Sequence, residues 1–210
     1  MKLKIIVVLS LVILQFEASA QGHFGAYMQT NQSTMSVRSL EHPDFGTYKY
    51  SYISGIGCGV IYEVDLNHHL SLSHRLNYSQ KGFATYKFSE DNQLTNQKES
   101  FAFHYIRLDE FFKFWFEKNR GNSGYVMAGL RNELLVAREL KENFRQPQTG
   151  ELIDIENFNQ WNFGGVFGAG LKNCNTFIEG GIDMDLAPAL ETETTKVRGI
   201  TWFANIGIII

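Results

Sequence analysis

Beyond its first segment the chain lacks long apolar runs. After residue 20 no stretch reaches the ~18 consecutive apolar residues of a helical membrane span, which excludes a helical membrane protein. Proline is scarce at 3 residues and cysteine at 2. No charge of either sign predominates: 19 basic and 22 acidic residues leave a formal net charge of −3, and that balance gives no basis for a nucleic-acid partner. Catalytic signatures are missing as well. The histidines His23, His42, His68, His69, His74 and His104 show no metal-site spacing, and the adjacent His68 and His69 cannot point the same way on a strand. No Gly-rich loop joins a strand to a helix and no elbow surrounds a serine. No catalytic residue, metal or cofactor is therefore expected.

The first segment, "MKLKIIVVLSLVILQFEASA", opens on Lys2 and Lys4, runs apolar from Ile5 to Leu14, and ends on Ala18-Ser19-Ala20. That is the layout of a secretory signal peptide cleaved between Ala20 and Gln21; an N-terminal anchor helix is the alternative, for which the run is short. The expected organisation is a leader over 1–20 and one domain over 21–210. In an exported chain Cys58 and Cys174 are free to pair, yet one sits mid-strand in "GIGCGVIY" and the other in "KNCNT", where small residues fit without pairing.

Glycine at 19 residues and aromatics at 14% point to strands. Period-two alternation bounded by turn clusters predicts eight of them, over residues 23–30, 50–66, 69–88, 99–117, 125–140, 158–172, 175–186 and 196–210. The connections alternate without exception between long ("NQSTMSVRSLEHPDFGTYK", "SEDNQLTNQK", "KENFRQPQTGELIDIEN", "APALETETT") and short (Asn67-His68, "KNRGNSG", "NCN"). Outer-membrane barrels segregate extracellular loops from periplasmic turns in this way. The predicted fold is all-β, an eight-stranded antiparallel up-and-down transmembrane barrel in the outer membrane, with both termini periplasmic.

Sidedness follows from what the two strand faces are made of. Tyr52, Ile56, Val60, Leu70, Leu72, Leu76, Phe163, Phe167 and Leu171 lie on one face, and Gly55, Gly57, Gly59, Ser71, Ser73, Asn77, Gly164 and Gly168 on the other. A water-facing polar surface would be rich in Lys and Glu. A Gly/Ser/Asn face suits a narrow, filled lumen instead. The last strand, "RGITWFANIGIII", then points Trp202, Ile206, Ile208 and Ile210 at lipid and Thr201, Phe203, Asn205 and Gly207 inward. Tyr52, Tyr78, Trp161 and Trp202 fall near the extracellular rim as an aromatic girdle. The lumen parity collects Glu63, Asp65, Arg75, Arg107, Asp109, Arg131, Glu133, Glu179 and Asp183. Opposite charges coexist in such an interior when paired and hydrogen-bonded, so a cross-barrel ion-pair network is expected. It reads either as a gated ion or proton path or as a structural plug; the small bore of eight strands favours the plug. Glu110 is the irregular position, since it faces lipid unless a bulge shifts the register of its strand.

"LSLSHRLNYSQKGF", "YIRLDEFFKF", "VFGAGL" and "FIEGGI" resemble successive strands of the PorT-like outer-membrane β-barrel family across nearly all of the chain beyond residue 20. Arg107 and Asp109 depart from that family's Glu and Pro, and Ile210 from its terminal aromatic. The resemblance implies an integral outer-membrane protein, with one class of members serving a secretion machine. The expected function is a barrel acting through extracellular loops or as a subunit of an envelope assembly. Its expected partners are outer-membrane lipid, the barrel-assembly machinery and other envelope proteins. Two further readings are a secreted, soluble, lipocalin-like carrier of an apolar ligand and a rim enzyme acting on lipid.

Overall fold

Alternating bulky apolar and small polar residues leave an extended chain with two unlike faces, and only strand pairing satisfies its backbone groups when one face meets hydrocarbon. The computed structural model describes residues 22–39, 48–88, 94–116, 122–142, 158–191 and 195–210. The expected leader, its Ala20/Gln21 cleavage point and most residues of the long connections lie outside the described residues.

Eight long strands form the wall: β1 (Gly22–Ser39), β3 (Ile53–Asp65), β4 (Leu70–Phe88), β5 (Leu94–Trp115), β6 (Asn122–Glu142), β7 (Trp161–Asn173), β8 (Thr176–Asp185) and β10 (Thr195–Ile209). Two short strands, β2 (Tyr48–Ser51) and β9 (Leu190–Glu191), add to β4 and β10. Every neighbouring pair is antiparallel, and β1 also pairs with β10 from Gly25↔Ile209 to Ser39↔Thr195. The sheet is thereby a closed eight-stranded antiparallel barrel, which leaves no wall edge to be satisfied in lipid. At the seam Phe24 and Ile210 exchange backbone hydrogen bonds of 3.2 and 2.7 Å.

Several boundaries differ from the sequence expectation. β1 runs on to Ser39, nine residues past the predicted end at Thr30, and β5 begins at Leu94 within the predicted connection. In both regions the strands rise past the apolar band, so the outward positions Thr30, Gln32 and Thr34 are polar and the hydropathy contrast fades. The predicted strand over 50–66 is interrupted at Tyr52. The ladder between β3 and β4 stops at Gly57↔Ser79, and β2 resumes it one residue out of step at Ser51↔Ala84. In that gap, side chains of β1 bond to β4 directly. Asn31 Nδ2 donates to Gln80 O at 2.9 Å, while Ser33 Oγ accepts from Gly82 N at 2.7 Å and donates to Gly82 O at 2.9 Å. Phe158, predicted to open the sixth of the expected strands, precedes the corresponding β7 and is buried.

Sidedness is as expected. Ile206, Ile208, Ile210, Leu76, Phe167 and Leu171 are exposed on the outer wall, whereas Ser71, Ser73, Ser79 and Thr201 are buried inside. A lipocalin-like arrangement is thus inverted here, because the ionisable side chains occupy the interior. Val64 and Leu72 have outward parity and yet are buried; they pair with each other, and Leu72 pairs with the bulky Phe112 on its other side. Cys58 and Cys174 are free and exposed, and Cys174 adopts a φ of 49° in the two-residue turn between β7 and β8. That left-handed geometry makes the tight turn possible.

Candidate functional site

Among the described residues the lumen holds the densest chemistry, because inward positions on five strands carry buried charge where eight strands leave little space. Near the end with the short turns, Lys113 Nζ meets Glu63 Oε2 at 2.5 Å. Beside it Arg75 grips Glu179 with both guanidinium nitrogens, the second at 3.0 Å. Glu179 also accepts from Tyr125 Oη and Asn205 Nδ2, each at 2.7 Å. Aromatic faces enclose these pairs: the Arg75 guanidinium lies 4.7 Å from the Phe111 ring centroid and 5.3 Å from that of Tyr27, and Lys113 lies 4.7 Å from Tyr125. Such stacking favours a cation withdrawn from water.

Above them is a second, larger group. Lys81 Nζ donates to Glu133 at 2.9 Å and to Asp183 at 2.7 Å. Arg107 reaches Asp109 at 3.0 Å and Asp183 at 3.1 Å. Arg131 bonds Asp183 and Asp185, with Glu133 3.5 Å away. Asn77 and Asn162 complete Asp109 and Glu133 at 2.9 and 3.2 Å. A Cβ on Gly164 would stand 2.3 Å from the Arg131 guanidinium, so only glycine leaves room for that side chain. Toward the long-loop end the interior turns apolar, with Met35, Phe83, Phe101, Phe103, Tyr105, Leu135, Phe158 and Leu190 forming one buried cluster.

Of the residues singled out from the sequence, Glu63, Arg75, Arg107, Asp109, Arg131, Glu133, Glu179 and Asp183 are all buried in these two groups. Asp65 is half-buried at the short-turn end, where Ser71 Oγ donates to it at 2.8 Å. Lys81, Lys113 and Asp185 were missed. Parity carried the signal, since each continues an inward series already recognised: 75-77-79-81, 109-111-113 and 183-185. Tyr52, Trp161 and Trp202 stand exposed on the outer wall. Tyr78 is half-buried, its hydroxyl 2.5 Å from His104 Nδ1, and shares a registered row with Ile106, Leu134 and Trp161. Glu110 does face outward, and the bulge in its strand pair falls elsewhere, at His104/Tyr105. It is paired there with His74, the residue directly opposite.

The family model described as "Outer membrane protein beta-barrel domain" matches residues 15–208. No curated protein matches the chain. Among solved structures, the outer membrane protein OprG from Pseudomonas aeruginosa superposes with a TM-score of 0.50 at 9% identity, covering 90% of this chain and 96% of that one. Neisserial surface protein A gives 0.46 at 14% identity, covering 88% and 96%. Ail, the attachment invasion locus protein of Yersinia pestis, gives 0.43 at 14% identity, covering 90% and 99%.

Proposed function

Since the chain belongs to the outer-membrane β-barrel domain family and is an integral outer-membrane barrel, we propose that it is a non-conducting barrel. In this reading its activity lies in the surfaces it offers to partners rather than in its bore. The observation that carries the reading is the filled interior: two layers of paired charge enclosed by aromatic side chains, then an apolar cluster across the long-loop end. A permeation path needs sites that an ion can enter and leave. Here each buried cation among the described residues, Arg75, Lys81, Arg107, Lys113 and Arg131, bonds carboxylates of the protein itself.

The network is on this reading a brace, and Tyr52, Tyr78, Trp161 and Trp202 mark the extracellular interface. The chain, its leader removed after Ala20, reaches the membrane through the barrel-assembly machinery. It then presents its long extracellular connections, or serves as a subunit of an envelope assembly, as its PorT-like strands suggest. Planar-bilayer recording on the purified protein tests the central claim. No stable conductance steps are expected; large, long-lived channels would overturn it.

A further inference from the structure

The outer wall is chemically lopsided. Below the level of Trp202 the outward positions of β7, β8, β10 and β1 carry no ionisable side chain and most are apolar, among them Phe167, Ile178, Ile206, Ile208, Phe24 and Met28. On the opposite side, β4 and β5 place His74 and Glu110 directly across from each other and in contact. This pair is not at the rim: the rows below it (Leu72, Phe112) and above it (Leu76, Leu108) are apolar. His74 is buttressed by the ring of Tyr62, whose centroid lies 6.2 Å away, and Tyr62 by Phe24 at 4.7 Å. Asn132, directly opposite Leu108, adds an exposed amide on β6.

An ionisable side chain turned toward acyl chains is costly, and where one is retained it normally faces protein or water. A barrel surrounded evenly by lipid gives no reason to confine such residues to one sector. We propose that this sector of the wall docks a second copy of the chain. Charge complementarity identifies the occupant as a second copy. Under a two-fold axis along the membrane normal, His74 of one copy comes opposite Glu110 of the other and Glu110 opposite His74, so the patch complements itself, as an isologous interface requires. Leu76, Leu108 and Phe112 supply the apolar surround, and lipid is excluded from four polar groups at once. The proposal builds on the barrel reading above and specifies its subunit arm.

The test uses the full chain with Cys58→Ser and Cys174→Ser, carrying either Leu108→Cys within the patch or Ile206→Cys on the opposite wall. It is treated with a bismaleimide in native outer membranes and in lipid nanodiscs. At least ten-fold more dimer is expected from position 108 than from 206. Adding His74→Leu with Glu110→Leu is expected to reduce it to the level seen at 206, while the heat-modifiable gel mobility of a folded barrel persists. Equal cross-linking at the two positions, dimer that survives the double replacement, or cross-links from 108 only to other proteins would each overturn the proposal. None of these outcomes bears on conductance, so the filled-lumen reading fails or stands separately.

Discussion

Arg75 shows what a single charge does in this interior. It is buried with Glu179, and stripping two such ions of water is repaid only while both remain and their hydrogen bonds are complete. Arg75→Leu is therefore expected to destabilise the barrel by about 3–5 kcal/mol, because Glu179 stays desolvated without its partner. Adding Glu179→Leu should recover most of that loss. Urea unfolding in lipid vesicles, followed by tryptophan fluorescence, measures both; equal losses in the single and double variants would contradict mutual compensation. At this scale the sequence was informative wherever alternation was unbroken. Lys81 falls on such a series, after Arg75, Asn77 and Ser79, and Lys113 on another, after Asp109 and Phe111, in the strand that holds the anomalous Glu110. The resolution of that anomaly, a histidine on the adjacent strand, depends on register between strands, which single-strand alternation does not encode.

Among the elements, β1 has the most unusual task. Its lower half pairs with β3 and β10, but between Gly57 and Ser51 the β3 and β2 side offers β4 no ladder partners, and Asn31 and Ser33 of β1 bridge the gap. Ser33→Ala leaves the buried Gly82 amide without its acceptor, and a buried unsatisfied group of this kind costs about 1–3 kcal/mol. The expected outcome is a loss of that size in the same unfolding assay, with the Gly82 amide exchanging hydrogen for deuterium faster than those of Leu76 or Tyr78. An unchanged exchange rate at Gly82 would sink the assignment. The upper half of β1 was illegible in the sequence for a related reason: past the apolar band its outward face is polar and its inward face mixes Asn31 and Ser33 with Met35, so the two faces no longer contrast.

For the whole molecule, strand number, closure and sidedness followed from loop parity and face composition, whereas the inter-strand contacts that brace the lumen did not, since they depend on register and rotamer. Sidedness makes a prediction of its own. Ile206→Arg, on the outward face of β10, is expected to cost about 2–4 kcal/mol in a bilayer, as a cation does on the lipid side of a barrel wall. Tolerance of that change, measured by urea unfolding in vesicles, would mean that water rather than lipid meets this face. The buried network also bears on assembly. Arg75 on β4 and Glu179 on β8 stand four strands apart in either direction round the wall, so neither can trade its hydration shell for its partner until the cylinder has nearly closed. The nascent barrel must consequently carry water inside its walls while they insert, and drying of the core, rather than entry into the bilayer, becomes the closing event of folding.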